Sequence, residues 1–302
     1  MSVPINHHYV SRCQSNNFFD NERKEIFVLD KESMSIKSKQ TTKTLFSEND
    51  SNTKTNDDLS TDRESLEKDL KDNFEDVFIN HLKIVKDLIG EPTNPPMNFR
   101  ESLVSLTKFG IIGEIRNPNN KKGTDDTIGD VLFGQILPNA APELKAQLLG
   151  LKERLSKTKY SNSILYSEFA DNIFKRMGDV RCLIYSITCD KYFILPDVSS
   201  IRRREKINEY FNPEIREIAM VGIPICSKIF LHSQSVKLGD VKDSVVSIDE
   251  GFPGEIDRIN FGLYDNSYRH VACENYNYLL KFRDNLETIK KLCLGETKDK
   301  LV

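Results

Sequence analysis

Cys182-Leu183-Ile184-Tyr185-Ser186-Ile187-Thr188 and, after Cys189-Asp190-Lys191, Tyr192-Phe193-Ile194-Leu195 are short, aromatic and β-branched, and they follow a long helical block instead of alternating with helices. Residues of these types suit a pleated, half-buried surface, so the two runs are expected to be strands joined as a hairpin. Apolar runs at 220–225, 227–232 and 244–248 extend the strand region, and the charged stretch 201–218 between them is expected to be a helix or an excursion.

Upstream the period changes. Leu66, Leu70, Phe74, Val77, Phe78, His81, Leu82, Val85 and Leu88 recur at steps of three and four, the stripe of an amphipathic helix that Gly90 and Pro92 stop. A second helix is expected over 98–116, ended at Asn117-Pro118 because a pre-proline residue disfavours the helical region. Residues 121–134 are polar and Gly-containing and read as a loop, whereas 142–155 and 161–177 read as helices. Ahead of this block, Ile26-Phe27-Val28-Leu29 and the alternating run 34–38 read as a hairpin, with a short strand within 5–10. Leu59 is the one apolar residue of 47–65, a stretch that buries too little to offset its ordering and is expected to be a flexible linker. The chain closes in a helix over about 254–292, with a break near Asn266.

Strands and helices are therefore segregated, which predicts an α+β fold. It is expected as a single domain over 1–302: an N-terminal hairpin module (1–46), the linker (47–65), a helical region (66–178), C-terminal antiparallel strands (179–250) and a closing helix (251–302). The hairpin is too small to stand alone and is expected to pack on the later strands.

Composition excludes several classes. With 38% hydrophobic and 29% charged residues the 302-residue chain is too apolar for global disorder. It has no apolar run near the ~18 residues that a membrane span needs and no basic-then-apolar leader, so a cytoplasmic protein without a membrane partner is expected. Six scattered Cys without a C-x-x-C pair or zinc-ligand spacing predict reduced thiols and argue against a disulfide framework and a structural zinc site. The balance of 43 Lys+Arg against 46 Asp+Glu gives no global attraction to polyanions, so any nucleic-acid contact must be local. Phosphate-loop, dinucleotide-binding, H-E-x-x-H, G-x-S-x-G and EF-hand motifs are all missing.

Five residues stand out as candidates for chemistry. His7 and His8 are adjacent in a predicted strand, so their rings point to opposite faces and are poorly placed to share one metal. One is a general acid/base or phosphate contact, or else a packed, hydrogen-bonded histidine. Glu75 flanks the first helical stripe as a base, metal ligand or Arg partner, or as a solvated flank. Arg116 closes the second helix, where a cation suits the dipole, and its fork suits phosphate. Asp197 follows a strand and Pro196, as a cleft carboxylate or a turn-forming Asp. Arg202-Arg203-Arg204 is the one run of three basic residues, a candidate nucleic-acid contact or a solvated face.

The stretch Asn6-His7-His8-Tyr9-Val10, Phe18, and Ile26 to Lys31 resemble a bacterial family of unknown function, numbered 4238 among domains of unknown function, which opens with H-H-Y-V-P. Phe74-Glu75 is similar to its helical F/L-E, Ile115-Arg116-Asn117-Pro118 to its R-T-P, and Phe193-Ile194-Leu195-Pro196-Asp197 to its F-I-T-S-D-N-P. Gly222 to Cys226 and the stretch 256–273, with Asn260, match its later landmarks. Ser11 departs from the family's Pro, and of the T-S-D-N-P loop only the Asp is kept. The resemblance implies a bacterial or phage-associated setting and a role in conflict or defence.

Two functions follow as expectations. One is a nuclease: His8 shuttles the proton, Glu75 or Asp197 activates water or holds Mg²⁺, and Arg116 binds phosphate. Mg²⁺ is the cofactor such chemistry would use, and the sequence specifies none. The other is a non-enzymatic sensor that binds a partner protein, in which the same residues tie the hairpin to the helices.

Overall fold

The computed structural model describes residues 6–56, 58, 60–156, 158–203, 220–236, 242–249 and 253–299. The chain opens with β1 (Asn6–His8), α1 (Arg12–Ser15), β2 (Ile26–Asp30), β3 (Ile36–Lys39), β4 (Ser47–Asn49), β5 (Lys54–Thr55) and β6 (Thr61–Asp62). The helical block follows: α2 (Ser65–Leu70), a π-helical turn (Lys71–Glu75), α3 (Asp76–Gly90), α4 (Phe99–Gly113), a 3₁₀ turn (Glu114–Arg116), α5 (Pro118–Gly129), a second π-helical stretch (Asp130–Ile136), α6 (Pro142–Leu155) and α7 (Tyr166–Met177). Then come β7 (Val180–Ile187), β8 (Leu195–Pro196), β9 (Ile201–Arg203), β10 (Met220–Cys226), β11 (Ile229–Ser235), β12 (Ser244–Ile248), α8 (Pro253–Asn266), β13 (His270–Cys273), α9 (Tyr276–Asp284) and α10 (Leu286–Asp299). The class is α+β, as expected.

A five-stranded sheet in the order β12-β7-β11-β10-β9 lies at the centre. Its strands alternate in side-chain direction, so Cys182, Ile184 and Leu231 face α3, α4 and α7 in one core, while Phe230, Ile187 and Ile248 face α8, α9 and α10 in another. α4 lies flat on the sheet because it carries glycines where the approach is closest. A Cβ on Gly110 would stand 2.8 Å from Val221 Cγ1, and one on Gly113 would stand 2.5 Å from the Val198 carbonyl.

The hairpin of β2 and β3 forms as read, and it packs on a later strand as expected: β2 pairs antiparallel with β13 in a four-stranded sheet, β3-β2-β13-β8. A third cluster joins Val10, Phe18, Ile26, Val28, Leu45, Phe46, Leu195 and Ala272, fastening the N-terminal residues to that sheet.

Several local readings are corrected. The expected hairpin between 182–188 and 192–195 does not form; β7 pairs with β11 and β12, and Leu195 and Pro196 pair with β13. The two apolar runs belong to different sheets, and Pro196 occupies an edge strand, where its missing N–H costs nothing. β12 runs parallel to β7, so the C-terminal strands are not all antiparallel. Residues 121–134 are helical: Asn117 caps α5 by accepting the Asn119 N–H at 2.9 Å, and Pro118 opens its first turn. The same Asn-Pro pair thus ends one helix and starts the next. The closing helix is three helices with strand β13 inserted. Of 201–218, the part inside the described residues is β9; the rest lies outside them.

The stretch 47–65 is also more ordered than its composition suggests. β4 pairs with β1, β5 with β6, and Ser51, Asn52 and Thr53 are buried. Its polar groups are ordered by hydrogen bonds: Asn162 Nδ2 donates to the carbonyls of Ser51 (3.1 Å) and Thr53 (2.8 Å), and Lys121 donates to Ser51. Hydrogen bonds, not apolar burial, hold this stretch in place.

Candidate functional site

The pairing of β1 with β4 sets the two histidines. His7 lies opposite Glu48 and His8 opposite Ser47, and alternation sends the rings to opposite sides. His7 is 2% exposed, and its Nδ1 accepts the Asn52 backbone N–H at 3.0 Å, so in the neutral ring the proton is on Nε2, 4.0 Å from Glu67 Oε1. His8 is half-buried and holds the same tautomer. Its Nε2 lies 2.9 Å from the Lys43 carbonyl, which can only accept, so Nδ1 keeps a lone pair when the ring is neutral. Burial pushes the His8 imidazole below its ordinary value; the Lys43 hydrogen bond and Glu75 oppose this, and the charges of Arg12 and Arg116 add to it.

Arg116 ends the 3₁₀ turn after α4 and is 1% exposed. Nη1 donates to Ser11 Oγ at 2.8 Å and Nη2 to the His8 carbonyl. Glu75 Oε1 lies 4.0 Å from Nη2, at the end of the π-helical turn, with its side chain 30% exposed. Such turns recur at functional sites because the extra residue re-aims the side chains around it. Arg116 Nε is buried and has no hydrogen-bond partner among the described residues. Arg116 therefore links the His8 backbone to Glu75, and the charges of Arg116 and Glu75 both act on the His8 ring.

Behind them lies a group that the sequence reading did not single out. Lys121, on the first turn of α5, is 5% exposed and donates to the Ser51 carbonyl (2.5 Å), Asn52 Oδ1 (3.2 Å) and the Tyr166 hydroxyl (3.1 Å). The Tyr166 hydroxyl donates to Asn52 Oδ1 at 2.6 Å. Both cations lie by the Tyr166 ring, Arg116 at 6.0 Å and Lys121 at 5.7 Å from its centroid. Burial, aided by the charge of Arg116, pushes the Lys121 amine down to about 7 against the pull of Glu67, Glu48 and Asp125. Asp69 fixes this end of α7 by accepting the Ser167 N–H at 2.9 Å. Asn52 contacts His7, Lys121 and Tyr166, so His7 joins the same network from its far end. The signal that points to Lys121 is the cap-and-start pair Asn117-Pro118, which makes 118–129 a helix turned back on Arg116.

Asp197 lies elsewhere. It is 2% exposed, and its carboxylate accepts the backbone N–H groups of Tyr268 (2.9 Å), Arg269 (2.8 Å) and His270 (2.9 Å), closing the turn into β13. Burial raises its carboxyl, and those three hydrogen bonds pull it back. It reaches the Arg116 region only through the backbone, where Asn117 Nδ2 donates to the Asp197 carbonyl.

The basic run is divided. Arg202 turns to the helical side and is spent on Glu114 through Nε at 2.8 Å and through Nη2. Arg203 is exposed and, by alternation, points to the other face of the sheet; Arg204 lies outside the described residues. Among the described residues no group of three or more His, Cys, Asp or Glu is placed to hold a metal ion, and no helix is long and apolar enough to cross a membrane.

A half-exposed imidazole with a spare lone pair, a carboxylate and a buried guanidinium with an unspent donor can together move a proton and stabilise developing negative charge. No curated protein and no solved structure matches the chain. Over residues 6–275, which hold the whole His8–Glu75–Arg116 cluster and its Lys121–Tyr166 backing, the sequence matches the family described as Protein of unknown function (DUF4238), and the chain belongs to that family.

Proposed function

We propose that this chain is a nuclease that cleaves phosphodiester bonds, acting as an effector of bacterial defence or as a toxin. The observation that carries the reading is the convergence of His8, Glu75 and Arg116 from three separate elements. His8 Nδ1 takes the proton from the attacking oxygen, since a lowered imidazole pKa keeps that nitrogen free at neutral pH. Glu75 orients the attacking water or the ring, and Arg116 supplies a fixed positive charge to the phosphorane oxygens. The defence setting rests on the family resemblance alone.

The test is incubation of the purified chain with RNA and DNA, with and without Mg²⁺, beside His8→Ala and Glu75→Gln. Cleavage that falls about 100-fold in both variants, with unchanged melting temperatures, is the expected result. Equal cleavage in all three proteins, or none, overturns it.

A second reading is a non-enzymatic partner-binding sensor. It is favoured by one observation: both terminal nitrogens of Arg116 and the Lys121 amine are already spent on protein acceptors, as in a structural network. Loss of melting temperature in His8→Ala without any cleavage by the parent chain supports this reading.

A further inference from the structure

The five-stranded sheet carries a second polar cluster, on the face turned away from α4. In the β7–β11 register Arg181 stands opposite Gln234 and His232 opposite Leu183, so Arg181, His232 and Gln234 project from one face. Diagonal neighbours of this kind lie about 7 Å apart, within reach of an Arg side chain. The row continues from Gln234 to Met220 on β10 and on to Arg203 on β9, so exposed Arg203 shares the face. The His232 ring stacks on Tyr185, at 6.4 Å between centroids and 27° between planes, which fixes its orientation.

Arg181 Nε and His232 Nε2 are both screened from solvent, and among the described residues neither has a hydrogen-bond partner. Among the described residues no carboxylate forms an ion pair with Arg181. Burial lowers the His232 imidazole, and the charge of Arg181 adds to this. Buried polar groups in folded proteins are nearly always paired, so two adjacent unpaired ones call for a ligand. A guanidinium edge and an imidazole N–H beside a carboxamide form a donor set for a tetrahedral oxyanion.

We propose that Arg181, His232 and Gln234 form a phosphate-binding site on this sheet face. The ligand is a phosphate group, whether free, on a mononucleotide or in an oligonucleotide. The site is separate from the His8 centre and does not depend on the nuclease reading.

The experiment follows the histidine C2–H proton signals of the full chain during titration with inorganic phosphate, adenosine 5′-monophosphate and a thymidine hexanucleotide at matched ionic strength. His232→Gln assigns the His232 signal. We expect a saturable shift of that signal, weakened at least tenfold in Arg181→Gln and less in Arg181→Lys. Saturation by the hexanucleotide at a concentration at least tenfold below that of the other two probes identifies nucleic acid as the source; equal saturation by all three identifies the phosphate group alone. Should Arg181→Gln fail to fold, Gln234→Leu must weaken the shift at least fivefold. No saturable shift with any probe, or a shift that these variants leave unchanged, overturns the proposal. No cleavage is read, so this result and that of the nuclease assay fail independently.

Discussion

Asn117 Nδ2 donates to the backbone carbonyl of Asp197 at 2.7 Å inside the protein, and on its other side Asn117 Oδ1 caps α5. One side chain therefore couples the turn that carries Arg116, the helix that carries Lys121 and the edge of the four-stranded sheet. Asn117→Ala removes a cap and leaves a buried carbonyl unpaired, and is expected to cost about 3 kcal/mol. Asn117→Ser keeps a capping oxygen but has no donor that reaches the Asp197 carbonyl, so it should cost less. Urea unfolding midpoints of the two variants check the ordering; equal losses would mean that the cap of α5 contributes nothing.

Removing Arg116 strands more than removing its carboxylate partner does. Arg116→Ala leaves Ser11 Oγ, the His8 carbonyl and Glu75 without a cation that is itself buried, a change of the kind that costs about 3–5 kcal/mol. Glu75 stands 4.0 Å away and is partly solvated, so Glu75→Gln should lose less than about 1 kcal/mol. Chemical denaturation measures both, and a Glu75→Gln loss as large as that of Arg116→Ala would contradict this geometry.

The long helices, the N-terminal hairpin and its docking on later strands were legible because each carries a clear period. Leu66 to Leu88 follow a helical stripe, and the π-helical turn at Lys71–Glu75 adds a residue without breaking it. Strand partners were not legible. The run Tyr192 to Leu195 is as apolar as β7, but Leu195 pairs with Ala272 of β13, 77 residues away. The candidate site was half legible for a related reason. His8, Glu75 and Arg116 stand out by residue type, whereas Asn52, Lys121 and Tyr166 sit in stretches that look like ordinary polar surface and become a site only when the chain folds back. Asp197 was visible too, but its three backbone hydrogen bonds depend on a turn that no local pattern specifies.

The closeness of α4 to the Asp197 loop is tested at Gly113. A methyl there meets the Val198 carbonyl at 2.5 Å, Ser199 Cβ at 2.9 Å and Ser200 Oγ at 2.9 Å, and the first is backbone that cannot rotate away. Gly113→Ala is therefore expected to cost about 1–3 kcal/mol by overpacking. Gly123→Ala, where a Cβ meets nothing within 4 Å, should be stabilising or neutral in helix α5. Thermal melts of the pair decide it, and a Gly113→Ala protein as stable as Gly123→Ala refutes the close approach.

Lys121 sets a pH dependence of stability. Its amine titrates near 7 in the folded chain and near the ordinary lysine value of 10.5 in the unfolded chain. Between those values the unfolded chain holds a proton that the folded chain has released, so stability rises with pH across the window. Below about 7 both states are protonated, and the folded chain bears the cost of a buried charge beside Arg116. Lys121→Met removes the titrating group and with it this slope, although it also leaves Ser51, Asn52 and Tyr166 short of a donor at every pH. The deficit of the variant relative to the parent chain should therefore be smallest at pH 6 and should widen steadily from pH 7 to 10. Melting temperatures of the two proteins across that range provide the check, and parallel curves would show that the Lys121 amine keeps its ordinary affinity for the proton.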